Sequence, residues 1–152
     1  MIEERLKLLK IKLPNAPQPV GSYVAYKIVE SLVFISGQLP IDEEGKIQKG
    51  KIGKDLSIND GQKAAYTCCL NLISQLKTAC SGNLDRVQSC IKITGFVNST
   101  DSFDQQPQII NPASDLLSKV FENKGKHARA AVSVNSLPLN AAVEIDGIFE
   151  IK

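Results

Sequence analysis

HARAAVSVNSLPLNAAVEIDGIFEIK, residues 127–152, is the stretch that decides how the rest of the chain is read. Ala128, Ala130, Val132 and Val134 fall at every second position, with Arg129, Ala131 and Ser133 between them. Successive side chains of a strand point to opposite faces, so this spacing predicts a strand with two unlike faces. Val143, Ile145, Phe149 and Ile151 repeat the pattern, with Glu144, Asp146 and Glu150 pointing the other way. Leu137-Pro138-Leu139-Asn140 is the connection. If the two strands pair through it, Arg129 and Glu144 share one face and lie close together.

Working back from there, Asn111 and Pro112 read as the N-cap and first residue of a helix over Pro112–Glu122. Leu116, Leu117 and Val120 give it a buried stripe, and Gly125 ends it. Val87 to Val97 alternates again and predicts a half-buried strand, with Val87, Ile91, Ile93 and Val97 inward and Gln88, Lys92 and Thr94 outward. Before it, Ala65, Cys69, Leu72, Ile73 and Leu76 recur at helical spacing. Ser57 or Asn59 would cap that helix and Gly82 would stop it. Tyr23 to Ser36 is rich in Val, Ile, Tyr and Phe and predicts strand with a turn at Glu30-Ser31. Ser36-Gly37-Gln38 and Pro40 interrupt it, and a polar loop runs on to Asp55. Ile2, Leu6, Leu9 and Leu13 suggest a short amphipathic helix that packs on the body. The order is strands, helix, strand, helix, two strands. That is an α+β arrangement: a mixed sheet with two helices, which can cover only one face. The other face, assigned Arg129, Ala131, Ser133 and Glu144, mixes small residues with isolated charges and suits a subunit interface with pockets.

At 152 residues the chain fits one domain, residues 1–152, with residues 1–13 as a helical extension. Eighteen basic and 16 acidic residues leave a net charge of +2, which supplies no strong field for nucleic acid or anionic lipid. Five Phe, three Tyr and no Trp offer little for stacking RNA bases. No apolar run is long enough for a membrane helix, and Glu3 and Glu4 do not suit a secretory or transit leader; a cytoplasmic location is expected. Cys68, Cys69, Cys80 and Cys90 form no CxxC pair and read as buried free thiols. No metal and no organic cofactor is expected. Gly50-Lys51 and Gly53-Lys54 lack the phosphate-loop pattern, and no Gly-x-Ser-x-Gly elbow occurs.

Arg129 is the most informative single residue. Its guanidinium offers paired donors that match a carboxylate, either from a structural partner or from a ligand. Glu144 either neutralises it or orients a water. Read alone, Tyr23 is packing, Ser36-Gly37 a turn, and Asn111 a cap. His127 has no acid near it in sequence.

Taken together, several segments resemble the RidA/YjgF family. These are Asn15-Ala16-Pro17 with Gly21-Ser22-Tyr23-Val24; Phe34-Ile35-Ser36-Gly37-Gln38-Leu39-Pro40; His127-Ala128-Arg129-Ala130-Ala131-Val132; and Leu137-Pro138 with Val143-Glu144-Ile145-Asp146. The resemblance covers about residues 14–152. It implies a chorismate-mutase-like fold and a homotrimer with clefts between subunits. It also implies hydrolysis of reactive enamines and imines, such as 2-aminoacrylate, to keto acids and ammonia. By position, Arg129 matches the residue that pairs with the substrate carboxylate and Glu144 the one that activates water. Tyr23, Ser36, Gly37 and Asn111 match cleft-lining positions. Ala131 stands where many deaminases of the family carry Cys, which removes thiol chemistry there but leaves a backbone N–H for a ligand oxygen. The Phe103–Phe121 region and the N-terminal extension resemble a longer subgroup. Two other functions stay open under this resemblance: a non-catalytic module that binds small keto acids, and the endoribonuclease or translation-inhibitor role after which some members were named.

Overall fold

The computed structural model describes residues 1–152. Helix α1 spans Ile2–Leu8, and two strands follow, β1 (Tyr26–Val29) and β2 (Leu32–Gln38). Then come α2 (Ile58–Ala79), β3 (Val87–Asn98), α3 (Gln106–Phe121), β4 (Ala128–Val134) and β5 (Val143–Ile151). The five strands form one mixed sheet in the order β1-β2-β5-β3-β4. Strands β3 and β4 run parallel with α3 as their crossover; every other pairing is antiparallel. Helices α2 and α3 lie on one face, and the opposite face is bare.

The core lies between the helices and the sheet. Leu72, Ile73 and Leu76 of α2 and Ile109, Ile110 and Leu117 of α3 are fully buried there. From the sheet, Val33, Ile93, Val97, Val143, Ile145 and Phe149 meet them. Each such side chain contributes about 1.5–3 kcal/mol by leaving water. Strand β5 alternates without a fault: Val143, Ile145, Phe149 and Ile151 are inward, and Glu144, Asp146 and Glu150 are on the bare face.

Helix α2 begins where the sequence places its cap. The Ser57 hydroxyl accepts from the Asp60 N–H at 3.1 Å, and the Asp60 carboxylate accepts from the Ser57 N–H at 2.9 Å, a reciprocal capping box. The turn at Glu30-Ser31 also forms, with Glu30 at φ +54°. Tyr23, however, precedes β1 rather than starting it.

Three expectations are corrected. Helix α3 starts at Gln106, not Pro112, so Asn111 is an interior residue of the helix and not its cap. Pro112 cannot donate to the Gln108 carbonyl four residues back. The Gln62 side chain of α2 donates to that carbonyl instead, at 2.9 Å, and offsets the lost bond. Strand β3 shifts register between Cys90 and Lys92, so Cys90 is inward while Ile91 is exposed.

The third correction bears on function. Strand β4 pairs with β3 alone, and β5 is inserted between β2 and β3, so the last two strands are not neighbours. The faces of β4 are also reversed. Arg129, Ala131 and Ser133 pair with Ile93, Gly95 and Val97, which face the helices. Ala128, Ala130 and Val132 lie on the bare face. An edge strand is only partly covered by α3, so a small residue or a polar tip is tolerated on its helix side, and alternation alone does not reveal which side that is.

Candidate ligand-binding site

The site residues separate into two groups. One surrounds Glu144. Position 144 is on β5, paired with Phe96 on one side and beside the β2 irregularity after Ile35 on the other. Its carboxylate lies directly over Gly37: a Cβ at position 37 would collide with Glu144 Oε1. Ser36 and Gly37 at the end of β2, Tyr23 and Pro17 from the preceding strap, and Leu139 line a cleft of about 530 Å³ around that carboxylate. Pockets that hold small molecules have this size. The Ser36 hydroxyl donates to the Val24 carbonyl at 2.7 Å and so ties the strap to β2. Partial burial raises the Glu144 carboxyl above its ordinary range, and the nearby Asp146 carboxylate adds to the shift. Asp146 is itself raised by burial, although hydrogen bonds from Thr94 and the charge of Lys92 oppose this.

Behind the cleft stands a row of buried amides that sequence reading missed. Gln75 Nε2 donates to the Pro17 carbonyl at 2.6 Å and to Gln38 Oε1 at 3.4 Å. Asn71 Nδ2 donates to the Leu39 and Ile41 carbonyls at 3.0 and 2.9 Å. Gln38 Nε2 donates to the Ser36 carbonyl at 2.8 Å. Two walls of the cleft are thus hung on one face of α2. A signal existed: Asn71, Ser74 and Gln75 interrupt the apolar face of a long helix, and buried polar side chains need partners.

The second group surrounds Arg129. Its Nη1 donates to Asn111 Oδ1 at 2.9 Å and to Ser114 Oγ at 3.2 Å, both on α3. None of the ion pairs in the molecule includes it. The Nε and Nη2 hydrogens therefore remain as a parallel pair of donors, the edge that a carboxylate takes side-on. Ala131 follows on the same side of β4, half-buried against the core.

The two groups do not meet within one chain. Arg129 pairs with Ile93 and Ile93 with Gly147, three residues beyond Glu144 along β5. Two strand spacings across and three residues along put the Arg129 and Glu144 backbones roughly 14 Å apart. Their side chains also leave opposite faces. The expected contact between them is absent, and the register is the reason. A larger depression of about 850 Å³ between α1 and α3 contains none of these residues. At its rim Arg5 is paired with Glu122 at 3.0 Å.

Comparison with known proteins identifies the family and fold. Residues 3–150 match the family model described as "YjgF/chorismate_mutase-like, putative endoribonuclease". Protein TCP17 of Trypanosoma cruzi is 43% identical over 99% of this chain and 94% of its own length. A crystal structure of an Agrobacterium tumefaciens protein of unknown function is 44% identical and superimposes with a TM-score of 0.92, covering 99% of this chain and 92% of that one. A Dermatophagoides farinae protein named 2-iminobutanoate/2-iminopropanoate deaminase is 27% identical over 93% of this chain and 95% of its own length. The match spans α1 through β5, bare sheet face and Glu144 cleft included, and on it the chain belongs to the YjgF/chorismate-mutase-like family.

Proposed function

We propose that this chain is an enamine/imine deaminase-type hydrolase whose sites form between copies of itself, as a homotrimer. The observation that carries the reading is the division just described. A free guanidinium edge and a carboxylate-bearing cleft lie on opposite faces of one sheet, and each lacks what the other has. In a closed ring of copies, the Arg129 edge of one lies against the Glu144 cleft of the next, so each chain gives one half to one neighbour and takes the other half from the other. The bare face carries the apolar side chains Phe34 and Val132, 41% and 44% exposed, on either side of Glu144. Such a patch is suited to burial against another subunit.

In the proposed reaction, Arg129 of one copy holds the substrate carboxylate through Nε and Nη2. The Ala131 backbone N–H stands beside it for a second oxygen. An enamine such as 2-aminoacrylate first takes a proton on carbon to become the iminium. Glu144 of the neighbouring copy accepts a proton from a water as its oxygen adds to the iminium carbon. The same proton passes to the nitrogen, the C–N bond breaks as the hydroxyl proton of the intermediate goes to Glu144 and from there to solvent, and ammonia and the 2-keto acid leave. A carboxylate made more basic by burial is better suited to taking and returning that proton than an ordinary exposed one. The Arg129 positive charge and the fixed geometry supply the rest.

The test is ammonia and pyruvate release from 2-aminoacrylate generated in situ. Turnover above the spontaneous rate that vanishes in Arg129→Ala supports the reading; full activity in that variant overturns it. Ala131, standing where deaminase relatives carry Cys, favours a second reading in which the cleft only binds keto acids. Thermal stabilisation by pyruvate with no turnover is the outcome that reading expects.

A further inference from the structure

Arg129 is held from behind by residues that the proposed reaction does not use. The inference drawn from them rests on the carboxylate-clamp reading above. The tether that starts at Nη1 continues past Ser114: Ser114 Oγ lies 2.9 Å from His127 Nε2, and His127 Nδ1 lies 2.6 Å from the Gly125 carbonyl. A carbonyl only accepts, so Nδ1 carries the ring hydrogen. Nε2 of the neutral ring is then an acceptor, and the Ser114 hydroxyl must donate to it. This turns the hydroxyl hydrogen away from Arg129 and presents a lone pair to Nη1. Each bond in the series therefore has one direction, Arg129 to Ser114 to His127, with the imidazole anchored at Gly125.

The anchor is itself fixed. Gly125 is packed so closely on α3 that a Cβ there would collide with the Leu117 carbonyl and lie 3.0 Å from Ser118 Cα. The Gly125 carbonyl is thus held in place relative to the helix that carries both Asn111 and Ser114.

We propose that Ser114 and His127 are positioning residues that decide which edge of Arg129 meets the ligand. With both Nη1 hydrogens engaged by Asn111 and Ser114, the Nε and Nη2 edge is the one left for a carboxylate to take side-on. A Ser114 hydroxyl without an imidazole to bind turns freely and sets its own hydrogen against Nη1 for part of the time. The guanidinium then rotates, and the side-on carboxylate pair gives way to mixed geometries.

Pyruvate is the probe, with binding measured by calorimetry on the assembled protein. Ser114→Ala and His127→Leu are each expected to weaken pyruvate binding about tenfold, the loss of one oriented hydrogen bond. The KM for 2-aminoacrylate should rise in the same ratio while kcat changes far less. His127→Gln, whose Oε1 accepts from Ser114, should recover most of the binding. The double variant should be no worse than either single one, because the two residues act in series. Rotation about the Arg129 Nε–Cζ bond, followed by NMR, should be faster in both single variants. Ser114→Ala favours helix, so it keeps the test open even where His127→Leu fails to fold. Unchanged pyruvate affinity in folded variants, beside its loss in Arg129→Ala, overturns the positioning role alone. Unchanged affinity in Arg129→Ala overturns the clamp itself.

Discussion

The Glu144 cleft and the Arg129 edge are built on opposite principles. The cleft is concave and braced by buried amides: Gln75 and Asn71 hold its strap and lip from behind, and Gly37 makes room for the carboxylate. The Arg129 edge has no wall. It offers a charged group on the outermost strand, aimed by hydrogen bonds to α3 and open on its ligand side. The cleft gives shape and a raised carboxyl; the edge gives charge and direction. On the proposed reading, a site that needs both is made by placing the Arg129 edge of one copy against the Glu144 cleft of another, because the sheet keeps the two apart within a chain.

The largest effect should come from separating the two regions genetically. Arg129→Ala and Glu144→Gln should each reduce turnover by three orders of magnitude or more, a magnitude typical of losing a principal catalytic group. Mixing the two inactive proteins through unfolding and reassembly should restore about a quarter of wild-type activity. In random mixed assemblies, half of the positions supply an intact Arg129 and half of their neighbours an intact Glu144. No recovery would mean that both halves act within one chain. Next in size, Gly37→Ala should remove most activity and destabilise the fold by about 1–3 kcal/mol, since the new methyl displaces the Glu144 carboxylate. Its circular-dichroism melt and turnover should fall together, whereas Arg129→Ala should melt as wild type.

Gln75→Leu sharpens the contrast in bracing. It leaves the Pro17 carbonyl and Gln38 Oε1 without their partner, and should cost about 1–3 kcal/mol in urea unfolding and raise KM through a loosened strap. The smallest expected effect is on pH. Burial raises Asp146, so the folded state binds that proton more tightly than the unfolded chain. The penalty for charging it is absent below the unfolded pKa and develops as pH rises through the folded one. Asp146→Asn should therefore raise the melting temperature at pH 8 but not at pH 3, below the unfolded Asp value of 3.8. An equal shift at both values would show that charge is not the cause.

Much of the fold was legible because local and global demands coincide. Strand β5 is buried on one face along its whole length, so period two is unambiguous. Ser57 and Asp60 announce α2 with chemistry that only a helix start uses. What was not legible depends on partners distant in sequence. Pro112 looks like a helix start because nothing nearby reveals that Gln62 will satisfy the carbonyl it abandons. Strand β4 alternates perfectly, but either phase fits until β5 is known to pair elsewhere. For the same reason the contact expected between Arg129 and Glu144 does not form: the alternation marks both positions but not which strands are neighbours. Asn111 reached the Arg129 group by a route the cap reading does not contain: it lies on the exposed face of α3, one position before the proline.

All four cysteines are free and sealed in the interior, Cys68, Cys69 and Cys80 fully and Cys90 nearly so. Burial pushes the Cys90 thiol up to about 12 and raises Cys68 and Cys69 well above the ordinary thiol value. A thiolate is the species that attacks alkylating reagents and disulfides. The native protein should thus be silent toward them, and any labelling that occurs records moments when the core has opened. The protein carries its own stopwatch for unfolding: four slow labels, two within α2, one just past its end and one in β3, that time how often each layer comes apart without any probe being added to the chain.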